Sequence, residues 1–178
     1  MRVQTRIVLA ALALLVLSGV VGREVYFRLI VPAPPLNFDE AAHSLEGFYI
    51  LRDVLKLDAR ELWVNTHAQT LWPPGFSYLQ APFLLLLGVS DQSARIFAFA
   101  MLALTALMGC VVAFQIDERR SALAALIGGV ISLTAPGWLF VGSWANQETP
   151  VAFLLFVVFW LFLRAMKTRG PGRFALTG

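Results

Sequence analysis

The feature that most limits what this chain can fold into is a set of long apolar runs, four of which reach or approach the length of a bilayer crossing. They are roughly Val3 to Ile30, Arg95 to Ile116, Ser121 to Phe140 and Pro150 to Met166, against about 20 residues for a transmembrane helix. Over 178 positions the chain is 58% hydrophobic and 14% charged, with a mean hydropathy of +0.73. That is more apolar surface than a soluble core of this size needs. The class is therefore an all-α integral membrane protein with about four transmembrane helices, read as a single membrane domain over residues 1–178.

The net charge of +3 does not indicate a nucleic-acid partner, because the basic residues sit mainly at the ends of the apolar runs, where they orient helices. The single cysteine, Cys110, lies inside an apolar run, so no intrachain disulfide can form. The first run could instead be a cleaved signal peptide behind Arg2 and Arg6. Against this, Ser18-Gly19-Val20-Val21-Gly22 makes a poor cleavage site, and apolar character continues from Val25 to Ile30.

A fifth apolar stretch, Gly75 to Gly88, decides the topology. If it crossed, Arg119/Arg120 and the basic tail from Lys167 to Arg173 would face outward, against the positive-inside rule. If it lies along the outer interface, then Arg2/Arg6, Arg119/Arg120 and Arg164/Lys167/Arg169/Arg173 all face the cytoplasm. The expected arrangement is four crossings in a bacterial plasma membrane, with both termini cytoplasmic. Residues 32–92 then form an extracytoplasmic loop with juxtamembrane helices.

Within that loop Pro32, Pro34 and Pro35 stop the first helix, and Asn37 can cap a second from about Phe38 to Leu57. Ala41, Leu45, Phe48, Leu51 and Leu55 recur at helical spacing, opposite Asp39, His43, Glu46 and Asp53. The pattern predicts an amphipathic helix on the membrane surface. Trp63, Trp72, Phe76 and Tyr78 supply an aromatic belt. Pro73-Pro74 opens a further apolar helix ending at Gly88.

Two polar boxes interrupt this apolar background, Phe38-Asp39-Glu40-Ala41-Ala42 and Asn146-Gln147-Glu148-Thr149-Pro150. The topology places both on one side of the membrane, which makes their carboxylates candidates for chemistry on a lipid-borne substrate.

The order of a first span, the Asp-Glu-Ala box, Trp-Pro-Pro-Gly-Phe-Ser-Tyr-Leu (72 to 79), Leu-Gly-Val-Ser-Asp-Gln-Ser-Ala-Arg (87 to 95), a span, a basic turn, a span, the Glu-x-Pro box and a last span resembles the N-terminal part of the GT-C superfamily. These are polyprenyl-phosphate-sugar-dependent membrane glycosyltransferases, and the likeness is to the branch of the protein mannosyltransferases and the aminoarabinose transferase. The resemblance implies that Asp39 orients or deprotonates the acceptor, that Glu40 is its usual neighbour, and that Glu148 is the acidic residue of the second outer loop. The family often has His or Lys before its Pro-Pro pair, where this chain has Trp72, leaving His67 as a substitute.

The implied reaction is inverting transfer of a sugar from a lipid-linked donor at the extracytoplasmic face, with Asp39 as base. Glu40, His43 and Trp72 are further substrate contacts, and Arg52, Lys56 and Arg60 are the outer-side cations available to the donor phosphate. A divalent metal, Mg or Mn, held by Asp39, Glu148 and His43 would suit hard carboxylate oxygens. Members of this superfamily have more spans, so the chain is expected to be the front part of a larger transmembrane domain, completed by a C-terminal half or a partner subunit.

Plainer readings stand beside these. Asp39 and Glu40 suit the first turn of any helix, and Glu148 could cap the last one. His43, Glu46 and His67 fit a solvated face, the tryptophans an interfacial belt, and Arg95 a helix start. The alternative function is a small non-catalytic membrane scaffold or a degenerate transferase subunit. A transporter fragment would require broken helices and charges buried within the spans.

Overall fold

A computed structural model describes residues 3–69, 74–116 and 121–168, and its described elements are all helical. Trp72 and the basic residues Arg2, Arg119, Arg120, Arg169 and Arg173 lie outside the described residues. Helix α1 spans Val3–Val25 and runs on through a π-helical turn, Tyr26–Ile30. Helices α2 (Phe38–Lys56), α3 (Ala59–Ala68) and α4 (Gly75–Leu87) come next, within the loop. The remaining helices are α5 (Asp91–Ile116), α6 (Ala122–Thr134), α7 (Pro136–Gly142) and α8 (Glu148–Thr168).

Among the described residues three helical stretches are long and apolar enough to cross a membrane: Ile7–Ile30, Asp91–Ile116 and Glu148–Lys167. The run expected as one span from Ser121 to Phe140 is instead two helices, α6 and α7, bent by 58°. The cause is local: Pro136 lacks the N–H that would continue the ladder and forces Ala135 out of helical geometry, at φ −57° and ψ 127°. Proline then serves as the first residue of α7, where its missing donor costs nothing. α4, at 13 residues, is about 20 Å long, too short to cross alone.

α5 is the hub against which α1, α4, α6, α7 and α8 pack. Leu14, Leu102, Ala106, Cys110, Ala125 and Leu133 form the buried centre between α1, α5 and α6. Lipid offers no hydrophobic drive for helix association, so close packing rests on small residues. A Cβ on Gly129 would stand 2.5 Å from the Leu14 side chain and 3.1 Å from the Ala106 carbonyl, and one on Gly128 would stand 3.1 Å from the Gly109 carbonyl. Gly129→Leu is therefore expected to wedge α6 from α5, at about 1–3 kcal/mol, read as a lower melting temperature in detergent; an unchanged melting temperature would show that the seam is loose.

The loop helices form their own layer. Asn37 caps α2 with a complete capping box: its side chain accepts from the Glu40 N–H, and the Glu40 carboxylate accepts from the Asn37 N–H. Leu57, at φ 54°, ends the helix in the left-handed region. α2 buries its more polar stripe, Glu40, His43, Gly47, Ile50 and Asp53, against the protein, while Leu45 and Leu55 are exposed. The apolar stripe is divided: Leu45 and Leu55 face outward, whereas Leu51 is buried with Ile50 against Ala81 and Leu84 of α4, and Phe48 packs on that cluster. Of the aromatic residues expected in a belt, Trp63 and Tyr78 are exposed, but Phe76 is not. That ring is buried against Phe97 and His43, because α4 packs on α5 and turns its first residues inward.

Candidate functional site

The site is assembled where α2 begins, α5 begins and α7 gives way to α8. Glu40, the second carboxylate of the acidic box, is almost fully buried and receives four hydrogen bonds. Arg95 donates Nε to Oε1 and Nη2 to Oε2, each at 3.1 Å. The backbone N–H of Ala145 donates to Oε1 at 2.9 Å, and that of Asn37 to Oε2 at 3.2 Å. Two carboxylate oxygens carry about four lone-pair positions, so Glu40 has no acceptor capacity left for a ligand. This corrects the expectation that Glu40 contacts substrate: it fastens three chain segments together. Burial pushes its carboxyl up, but the bonds from Arg95, Ala145 and Asn37 and the Arg95 charge outweigh this and hold it below the usual carboxylate range.

Because Glu40 is fixed, its neighbours are too. Asp39 lies one position earlier and Glu148 three positions after Ala145, which brings both catalytic candidates to this end of the bundle. Asp39 keeps 55% of its side chain exposed and faces His43 one helical turn on, with Oδ1 3.7 Å from Nε2. His43 is buried against Phe76, at a ring-centroid distance of 5.2 Å. Burial holds its imidazole below the ordinary range, and the opposing pull of the Asp39 and Glu148 charges does not restore it. The result is an acidic side chain facing an imidazole that is neutral at pH 7, with the Glu148 charge also acting on it, a group suited to accepting and relaying a proton.

The depressed His43 pKa sets a pH dependence. On acidification the unfolded chain takes up the proton first, near pH 6.5, while the folded chain resists. Stability contributed by neutral His43 is thus full above about pH 6.5 and is lost as the pH falls through its folded value. Glu40, also depressed, loses its contribution in the same direction at lower pH. The melting temperature in detergent is expected to hold from pH 8 to 7 and decline below 6.5, with His43→Gln flattening the upper part of that decline. A melting temperature that rises on acidification would contradict the assignment.

The other expected contacts lie elsewhere. Arg52 sits 13 positions after Asp39 on the same helix, about 20 Å along its axis, and Lys56 and Arg60 lie farther on. Arg52 is paired with buried Asp53, Nη2 to Oδ1 at 2.7 Å, and its guanidinium lies 5.0 Å from the Tyr49 ring centroid. Asn65 donates to the other Asp53 oxygen at 2.6 Å, which locks α3 onto α2. None of these three cations is brought to Asp39. His67 stacks on Trp63, with ring centroids 3.8 Å apart. Among the described residues no group of three or more His, Cys, Asp or Glu side chains is placed to hold a metal ion, so the expected Mg or Mn set of Asp39, Glu148 and His43 is not formed.

Sequence reading missed Arg95 as the partner of Glu40. The signal was present: it is a lone charge within an apolar span, and such charges need a partner. The Ala145 N–H carried no signal at all. Above the Glu40–Arg95 pair opens a cavity of about 390 Å³ bounded by the end of α1, the 32–35 loop and α7. On the far side of α7, Glu148 stands at the edge of an apolar groove with Gly137, Trp138 and Val141. No protein-family model, curated protein or solved structure matches the chain.

Proposed function

We propose that this chain is the front part of a GT-C-type membrane glycosyltransferase that transfers a sugar from a polyprenyl-phosphate donor, with inversion, at the extracytoplasmic face. The observation that supports the reading is the placement of Asp39 3.7 Å from buried His43, at the end of the bundle where Glu40 ties α2 to α5 and to Ala145, three positions before Glu148. In this reading α6 and α7 together make a fourth crossing, Asp39 removes the acceptor proton, and Glu148 lies beside the apolar groove where a lipid chain would run.

Labelled-sugar transfer is the direct test: membranes carrying the protein, given polyprenyl-phosphate sugar, should label a lipid, glycan or protein acceptor, and absence of transfer across those acceptors sinks the activity. The orientation has its own test. Single cysteines Asp39→Cys, Glu118→Cys and Glu148→Cys in a Cys110→Ser background are expected to react with an impermeant reagent from outside at 39 and 148 only. Labelling at 118 alone would invert the scheme.

A second reading, a non-catalytic membrane scaffold or degenerate transferase subunit, is favoured by one observation. The most buried carboxylates, Glu40 and Asp53, are both engaged by protein donors rather than left for a ligand. In that case Asp39→Asn leaves every measurable property of the membrane unchanged, whereas the transferase reading requires loss of transfer.

A further inference from the structure

The cavity beside the Glu40–Arg95 pair has a wall whose chemistry is one-sided. Its acceptors are largely occupied: Glu40 takes four N–H groups, and the Asn37 side-chain oxygen takes the Glu40 N–H at 2.9 Å. Its donors are not used up in the same way. Arg95 meets Glu40 along the Nε/Nη2 edge, which leaves Nη1 outside that pair, and Arg28 meets Glu24 through Nε at 2.9 Å, leaving its Nη groups outside that one. The Asn37 side-chain NH2 adds a third donor. A cavity with two guanidiniums and filled acceptors suits a ligand rich in acceptor oxygens.

Arg28 reaches this wall through an irregularity in α1. The turn Tyr26–Ile30 is π-helical, closed by the Val31 N–H on the Tyr26 carbonyl at 2.8 Å, and Pro32 ends the chain's helical path directly after it. An added residue in a turn rotates the succeeding residues by about 100° relative to a regular helix. The π-turn carries both Arg28 and Leu29 onto the cavity wall. The rest of the lining is that of a membrane interface: Leu29, the prolines of the 32–35 loop, and the Phe140–Trp144 pair with ring centroids 4.8 Å apart. Aromatic and basic residues together at the ends of spans mark headgroup depth, and the volume is in the range of small-ligand sites.

We propose that this cavity binds the phosphate group of an amphiphile, with Arg28 and Arg95 as its cations and Trp144 beside the group the phosphate carries. The site stands whether or not the chain transfers sugar. If it does, the cavity supplies the cationic contact that Arg52, Lys56 and Arg60 are too distant to make.

Native mass spectrometry of the full chain released from detergent tests this directly. Phosphatidylglycerol and undecaprenyl phosphate are expected to be retained in preference to diacylglycerol, and Arg28→Gln is expected to weaken retention about tenfold, the loss of one charge-assisted contact. Arg23→Gln removes the other arginine that pairs with Glu24 without touching the cavity, and should leave retention unchanged. Competition by inorganic phosphate alone would support the phosphate contact and assign it to a soluble ligand; failure to compete would support a lipid-borne one. Equal retention of diacylglycerol, or equal loss in Arg23→Gln and Arg28→Gln, would overturn the proposal. Because Arg28 is 79% exposed, its replacement does not disturb the bundle.

Discussion

Replacing Glu40 by alanine is expected to lower stability by about 3–5 kcal/mol, the cost of leaving one partner of a buried ion pair uncompensated. The loss exceeds that of the charge alone. Arg95 is left buried with a guanidinium that two oxygens had matched, and the Ala145 and Asn37 N–H groups lose their acceptor as well. Arg95→Ala should cost a similar amount by stranding Glu40, and Arg95→Lys should recover little, since an ammonium cannot reproduce the two-point contact. The double replacement Glu40→Met with Arg95→Met is expected to be milder than either alanine variant, because it removes both charges at once. Thermal unfolding of purified protein in detergent reads all four. If the two single alanine variants melt with the native protein, the pair holds nothing together; if the double variant falls by the sum of the singles, the two side chains act independently.

The strength of this pair also explains what could and could not be read from the sequence. The apolar spans were legible because membrane crossing depends on local hydropathy, and three of the four apolar runs coincide with α1, α5 and α8 to within a few residues. The start of α2 at Phe38, its Asn37 cap and the α4 stop at Gly88 were legible for the same reason, since each is decided by residues within one turn. The bend at Ala135 was written in Pro136 but hidden by the uninterrupted apolar run around it. What was not legible is the pairing of Glu40 with Arg95 and with the Ala145 N–H. Those partners lie 55 and 105 positions away, and a backbone amide carries no side-chain signature. The same gap hides where the cations stand: Arg52 and Lys56 share a helix with Asp39, yet that helix carries them away from it, while Arg28, at the end of the first span, lines the cavity beside Glu40 and Arg95.

If the chain transfers sugar as proposed, Asp39→Asn is expected to reduce transfer by about 100- to 10,000-fold, the contribution of a positioned general base, with the donor KM little changed. The substitution keeps side-chain size and leaves the Asn37 cap and the Glu40 bonds intact, and with 55% of the side chain exposed the fold loses little. Abundance in the membrane and melting temperature should therefore match the native protein, which separates a chemical defect from a folding one. Asp39→Glu retains a carboxylate but moves it by one methylene, so partial activity is expected, above that of Asn. On the same proposal Glu148→Gln should show a smaller fall in kcat, since Asp39 is the proposed base and Glu148 bears on His43 only through its charge. The discriminating comparison is between Asp39→Asn and Glu40→Gln. Asp39→Asn is expected to lower transfer by that factor at full stability, and Glu40→Gln to lose stability together with whatever activity depends on the register it maintains. Native-rate transfer by Asp39→Asn would remove Asp39 from the chemistry and leave the acidic box with the structural task that Glu40 performs.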